Sequence, residues 1–328
     1  MRVLMKRILS IDGGGIRGTF PAAFLAALED DLDHPIGAYF DLIAGTSTGG
    51  IIAIALALGV PAKEVAALYE EYGPKIFAQN DTGFRAFMSK LHRTSRWAIW
   101  GPKYQTDSLK QAIESVLGDK RIGDAKTRLM VPSWNGYAKK VYVYKTAHHT
   151  RLTTDYKDPA IDAALATSAA PTYFREYITA NDVGLVDGGL WANNPTGFAV
   201  IEAVSVLGWP ADKLKVLSVS CLEDIFEMKP AYSARSIVEK TADFFMAGQS
   251  HSSMGIAHLL TGDPHERKAI WRICQPVPDG FFSIDNTSKI RELRARGFSE
   301  ARIQKPILKP HFFSQPTEPF IPIHKLEG

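Results

Sequence analysis

Two glycine-rich stretches, each set between a strand-like run and a helical pattern, constrain this chain more than any other feature. The first is Asp12-Gly-Gly-Gly-Ile-Arg-Gly18. It follows Arg7–Ile11, where Ile8, Leu9 and Ile11 are apolar, and it precedes a helical pattern over Thr19–Leu32 with Thr19 as cap and Pro21 in the first turn. The second is Gly45-Thr46-Ser47-Thr48-Gly49, between a strand-like run at Tyr39–Ala44 and a helix at Gly49–Leu58 that is apolar all round. A helix without a polar face must be buried on every side. Strand, tight turn and helix, repeated, read as βα units of a mostly parallel sheet.

The rest of the chain carries the same alternation. Further strands are expected at Arg128–Val131, Val141–Tyr144, Leu185–Asp187, Val216–Ser220 and Ile270–Ile273. Helices are expected at Ala62–Tyr72, Asp107–Leu117, Pro159–Ser168, Thr196–Leu207, Ser236–Phe245 and Ser288–Arg296. No repeat or low-complexity linker interrupts the first 300 residues, so the 328-residue chain reads as a single domain. From Lys305 onward prolines stand at 306, 310, 316, 319 and 322, a spacing that predicts an extended tail over 305–328 rather than regular helix or central strand.

The glycine loops carry the chemistry. Gly13-Gly-Gly15-Ile-Arg-Gly18 satisfies the dinucleotide pattern G-x-G-x-x-G. That reading also asks for an acidic residue after the next strand, where the chain instead has Gly45-Thr-Ser. No G-K-[ST] follows either, which excludes a P-loop. Gly45-x-Ser47-x-Gly49 between strand and helix fits a nucleophile elbow, whose flanking glycines relieve crowding where the serine is pushed out above the sheet. The competing reading is a helix cap, since Ser and Thr cap well. A serine attacking an ester generates an oxyanion, and N–H groups of Gly14 and Gly15 in the neighbouring loop could approach it without Cβ interference. Arg17 could brace that loop or meet a phosphate.

A serine needs a proton acceptor, ordinarily a histidine. None of the nine histidines stands in a setting that marks it as one, and each reads as a surface or loop residue. Asp187, in Gly184-Leu-Val-Asp187-Gly-Gly-Leu190, ends a short apolar strand and fits a base and an ordinary Asp-Gly-Gly turn equally well.

Asp12-Gly-Gly-Gly-Ile-Arg-Gly18, Gly45-Thr-Ser-Thr-Gly49 and Asp187-Gly-Gly189, in this order, resemble the signature of patatin-like phospholipases. Ala166-Thr-Ser-Ala-Ala-Pro-Thr-Tyr-Phe174 and Asn193-Asn-Pro195 extend the resemblance, which runs from about Lys6 to Leu217. It implies an α/β fold, a three-layer α/β/α sandwich with a mostly parallel sheet. It also implies a Ser–Asp dyad with Ser47 as nucleophile and Asp187 as base, and an oxyanion region from Gly13, Gly14, Gly15 and Arg17. The substrates implied are acyl esters of membrane phospholipids, with no metal and no cofactor. The resemblance further suggests that, like some bacterial members of this length, the chain is a defence effector switched on by a cyclic nucleotide, so a cyclic dinucleotide activator is an expectation here. The opposing reading, a non-catalytic lipid- or nucleotide-binding module, would be marked by loss of Ser47 or Asp187; both are present.

Composition bears on location and partners. Cys221 and Cys274 are the two cysteines, neither at metal-ligand spacing, which fits a reducing cytoplasm rather than a disulfide framework. A net charge of +3 is too small to argue for a nucleic-acid polymer. The apolar run after the basic N-terminus stops at Asp12, too soon for a signal peptide. The longest apolar stretch, Ile51–Leu58, is far short of the ~20 residues that cross a bilayer, so membrane contact is expected to be peripheral, at the inner face. No acidic residue falls between Asp81 and Asp107. Arg85, Lys90, Arg93, Arg96 and Lys103 alternate there with Phe84, Phe87, Trp97, Trp100 and Tyr104, a mixture that suits an anionic bilayer, a phosphate-bearing nucleotide, or a local core with solvated cations.

Overall fold

The structure is a computed structural model and describes residues 5–77, 103–104, 106–225, 234–263, 268–278 and 280–326. The basic and aromatic stretch from 84 to 102 lies outside the described residues.

Five parallel strands form the centre of the main sheet in the order β3, β2, β1, β7, β9. These are β1 (Lys6–Ile11), β2 (Leu42–Gly45), β3 (Arg128–Asn135), β7 (Leu214–Val219) and β9 (Ile270–Ile273); β8 (Glu223–Ile225), which carries Asp224, lies outside this sheet. Side chains alternate across them, as the two-residue period of a strand requires. Leu9, Ile11, Ile43, Leu129 and Leu217 join one core with Thr19–Glu29, Thr48–Ala57, Ala62–Ile76, Thr106–Leu117, Ala160–Ser168 and Ile290–Phe312. Ile8, Leu42, Met130 and Val216 face a second core with Thr196–Ile201 and the long helix Ala234–Thr261. The result is the expected α/β/α sandwich. Helix Thr48–Ala57, apolar all round, is buried from Gly49 to Ala57.

Strand direction departs from the expectation at one edge. Strand β3 pairs antiparallel with β4 (Lys140–Lys145) and with β6 (Gly184–Asp187), and β6 pairs antiparallel with β5 (Tyr177–Ile178). Strand β2 accompanies β3 only as far as Met130; β6 then joins β3 at Ser133–Asn135, with Asp187 opposite Ser133. Asp187 therefore approaches the end of β2 head-on, from a strand running the other way.

The proline-rich tail is a correction. Helix Ile290–Phe312 runs through both Pro306 and Pro310. An internal proline removes one helix hydrogen bond, here to the carbonyls of residues 302 and 306. Arg302, Pro306 and Pro310 are all exposed, so water can satisfy those carbonyls, while Leu293, Ala301, Leu308 and Phe312 are buried on the opposite face. Burial of about 1.5–3 kcal/mol per large apolar side chain offsets the loss. Phe312 packs against Phe40 and Trp271, and Arg7 Nη1 donates to the carbonyls of Phe312 and Gln315 at 2.5 and 2.7 Å, closing the helix end. From Phe313 to Leu326 the chain forms no helix or strand and is tied down by Thr317 N–H to the Ala38 carbonyl and Ile323 N–H to the Ala147 carbonyl.

Other boundaries also moved. The helix predicted over Ser236–Phe245 belongs to the much longer Ala234–Thr261, and Thr196–Ile201 continues as a π-helical turn, Glu202–Val206. Thr19 opens its helix without capping it; its hydroxyl donates to the Ile16 carbonyl.

Candidate active site

The turn leaving β2 forces Ser47 into φ 55°, ψ −126°, a region that a residue with a Cβ occupies only under strain. Its flanks must be glycine. A Cβ on Gly45 would lie 2.1 Å from the Gly49 carbonyl oxygen, and one on Gly49 would lie 2.4 Å from that of Asp12. Thr46 and Thr167 hold the strained turn: Thr46 Oγ1 donates to the Ala192 carbonyl at 2.6 Å. Ser47 N–H donates to Thr167 Oγ1 at 3.0 Å, and that hydroxyl donates to the Pro132 carbonyl at 2.6 Å. Ser47 also stands at the N-terminus of Thr48–Ala57, where the helix dipole favours negative charge.

Ser47 Oγ donates to Asp187 Oδ2 at 2.6 Å, with no imidazole between them. Asp187 Oδ1 accepts from Gly189 N–H at 2.7 Å. The two side chains belong to residues 9% and 5% exposed. Among the described residues no cation pairs with Asp187. Burial pushes its carboxyl up to about 6, against the opposing effect of the Ser47 and Gly189 hydrogen bonds. A carboxylate so placed is a stronger base than a solvated one and is still ionised at neutral pH.

The first glycine loop packs directly on this turn: a Cβ on Gly13 would sit 3.1 Å from Ser47 Cβ. Its four expected contributors divide into two groups. Gly13 N–H donates to the Asn193 carbonyl at 2.9 Å, and Arg17 Nη1 donates to Asp224 Oδ2 at 2.8 Å. Both bonds tie the loop to neighbouring segments. Gly14 and Gly15 keep N–H groups with no acceptor among the described residues. Asn193 and Thr167 come from the two stretches that extended the family resemblance; Arg272, which grips Asp12 of the loop, lies beyond it.

His148 is not a surface residue. It is buried, with Nδ1 2.9 Å from Thr146 Oγ1 and Nε2 3.0 Å from Glu202 Oε1. Among the described residues no group of three or more His, Cys, Asp or Glu side chains forms a metal-ligand set.

The patatin-like phospholipase family model matches residues 9–200, from within β1 through the elbow and Asp187 to the Asn-Asn-Pro turn. The chain belongs to the patatin-like phospholipase family. This patatin-like chain is 38% identical over 217 residues to a cGAMP-activated phospholipase of Pseudomonas aeruginosa, covering 66% of this chain and 62% of the relative. It is 36% identical over 239 residues to a protein of the same name from Vibrio cholerae, covering 69% and 66%. A third protein of that name, from Escherichia coli, is 30% identical over 347 residues, 96% and 94% of the two chains. The match thus spans slightly less than two thirds of the Pseudomonas and Vibrio proteins and nearly all of the Escherichia one. Among solved structures, VipD from Legionella pneumophila shares the patatin fold, with a TM-score of 0.51 at 14% identity over 94% of this chain and 67% of that one.

Proposed function

We propose that this chain is a lipid acyl hydrolase of the phospholipase A type, working through a Ser47–Asp187 dyad. The observation that carries the proposal is the 2.6 Å bond from the Ser47 hydroxyl, on a strained elbow, to a buried carboxylate that has no cation partner among the described residues. Asp187 takes the Ser47 proton as Oγ attacks the ester carbonyl carbon. The N–H groups of Gly14 and Gly15 receive the oxyanion, while Gly13 and Arg17 hold their loop in register. The lysophospholipid leaves with the proton from Asp187. Water, deprotonated by the same carboxylate, then attacks the acyl-enzyme; the fatty acid leaves as Ser47 Oγ departs and takes the proton back from Asp187. Because one carboxylate serves both half-reactions, its raised pKa suits acid and base roles in turn.

The second part of the reading is control. Three relatives carry the name cGAMP-activated phospholipase, which supports a cyclic dinucleotide as the activator here as well. No helix among the described residues is long and apolar enough to cross a membrane, and the reading places the enzyme at the inner face of the cytoplasmic membrane as a peripheral visitor. The test is fatty-acid release from mixed phospholipid vesicles by wild type and Ser47→Ala, each with and without cyclic dinucleotides. Release by wild type alone is expected, stimulated by one of the nucleotides. Equal release by the serine variant would end the hydrolase reading, and full release without nucleotide would end the gating.

A further inference from the structure

Asp12, the first residue of the glycine loop, is buried, and its carboxylate is gripped from the far edge of the sheet. Arg272, on β9, donates from Nη1 to Asp12 Oδ1 at 2.9 Å and from Nη2 to Asp12 Oδ2 at 2.5 Å. A two-pronged pair of this kind fixes orientation as well as distance, because both groups are planar. The Asp12 backbone is held too, its N–H donating to the Val219 carbonyl at 3.0 Å.

The same guanidinium has a second branch. Arg272 Nη1 also donates to Ser218 Oγ at 2.8 Å. Ser218 Oγ lies 2.7 Å from Thr196 Oγ1, which donates in turn to Ser10 Oγ at 2.9 Å. Thr196 N–H donates to Asn194 Oδ1 at 3.0 Å, and the neighbouring Asn193 carbonyl accepts Gly13 N–H. Asp12, Arg272, Ser218, Thr196, the Asn193-Asn194 turn and Gly13 thereby close a ring of hydrogen bonds and peptide links. The ring returns to the loop that packs on Ser47. Its one cation is Arg272, outside the residues that the family model matches.

We propose that Arg272 is a positioning residue for the reaction, setting the register of the Gly13–Gly15 loop through Asp12 on one side and the Asn193-Asn194 turn on the other. The inference rests on the hydrolase reading and adds to it a residue that touches neither substrate nor Ser47. A stability role alone would be filled by any well-packed neutral pair, since a buried ion pair is often no better than apolar groups of like volume. Positioning requires the fork. The loop donors meet the substrate oxygen fully only when it becomes an oxyanion, so misplacing them lowers kcat and leaves ground-state binding nearly alone.

The test is steady-state hydrolysis of a soluble p-nitrophenyl ester, with cyclic dinucleotides present and absent, by wild type, Ser47→Ala, Arg272→Lys, and a double variant carrying Asp12→Asn with Arg272→Gln. Arg272→Lys retains the charge beside Asp12 and loses the fork; the double variant removes both buried charges and keeps hydrogen-bonding groups. Both are expected to show kcat lowered about tenfold or more with KM within about twofold, and circular dichroism melting close to wild type for at least one of them. Wild-type kcat in either folded variant, a loss confined to KM, or a loss accounted for by the unfolded fraction would overturn the inference. Absence of Ser47-dependent turnover in wild type, even with cyclic dinucleotides added, would instead strike the hydrolase reading beneath it.

Discussion

Ser47 with Asp187, and Thr146 with Glu202 across His148, each align a buried hydroxyl with a buried carboxylate, and they differ in the charges and backbone strain around the pair. At the end of β2, Ser47 Oγ donates directly to Asp187. Just past β4, Thr146, His148 and Glu202 stand in the order hydroxyl, imidazole, carboxylate, at 2.9 and 3.0 Å, which is nominally the better hydrolase constellation. Yet Glu202 also accepts from Lys145 Nζ at 2.7 Å, and Thr146 Oγ1 accepts from Leu129 N–H at 3.0 Å. With Glu202 ionised, His148 carries its proton on Nε2 and Thr146 donates to Nδ1. Burial alone would raise the Glu202 carboxyl, but His148 and Lys145 together hold it below its usual range, while burial keeps His148 below its own. Thr146 shows none of the backbone strain of Ser47 and is 1% exposed. The comparison teaches that a row of suitable residue types is not a site. A neutralised, unstrained row is a structural staple; an unneutralised carboxylate under a strained serine is poised for chemistry.

The comparison breaks most sharply on the hydroxyls. Ser47→Ala should reduce ester turnover by roughly a thousandfold or more, whereas Thr146→Val should leave kcat unchanged within about twofold once the folded fraction is matched. Comparable losses in both would erase the distinction.

The two carboxylates should next show opposite linkage. Asp187→Asn should lower kcat by roughly a thousandfold and yet stabilise the fold at pH 7 by about 2–3 kcal/mol, since a carboxyl raised from 3.8 to about 6 opposes folding whenever it is ionised. The raised folded value means wild-type stability declines as pH rises from about 4 to above 6, and the variant's advantage vanishes below that window. Glu202→Gln should leave kcat nearly intact and cost about 3 kcal/mol, because it leaves Lys145 without its partner. Its carboxyl is lowered, so this contribution is fully present above the ordinary glutamate value and is lost as pH falls through the folded one. Urea midpoints of the three proteins between pH 4 and pH 8, read at about unit intervals, check both signs together.

Two smaller effects sharpen the picture. For a soluble ester, kcat/KM should rise with pH around an apparent value of about 6, set by Asp187. A profile centred near 4 would return Asp187 to the behaviour of a solvated carboxylate. Thr167→Val, which removes the acceptor of Ser47 N–H and the bond to Pro132, should lower kcat by about tenfold with little change in KM.

Local patterns were legible because local sterics and periodicity impose them. The sequence by itself determined the two glycine turns, the fully apolar helix after the second, and the candidacy of Ser47 and Asp187. Each follows from which residues can occupy a tight strand-to-helix turn or an all-round buried face. Other features depend on partners far away in the chain, which no local pattern encodes. Pairing across β3 decided the antiparallel direction of β6 that turns Asp187 back toward Ser47. Packing on Phe40 and Trp271 decided that a helix would survive Pro306 and Pro310. The tertiary structure also decided the roles of three residues: Thr167 beneath the elbow, whose stretch resembled the family but whose contact no pattern showed, His148 in a buried staple, and Arg272, 260 positions from the carboxylate it holds. A charge's effect depends on what faces it across the fold, so the same carboxyl group is raised at Asp187 and lowered at Glu202.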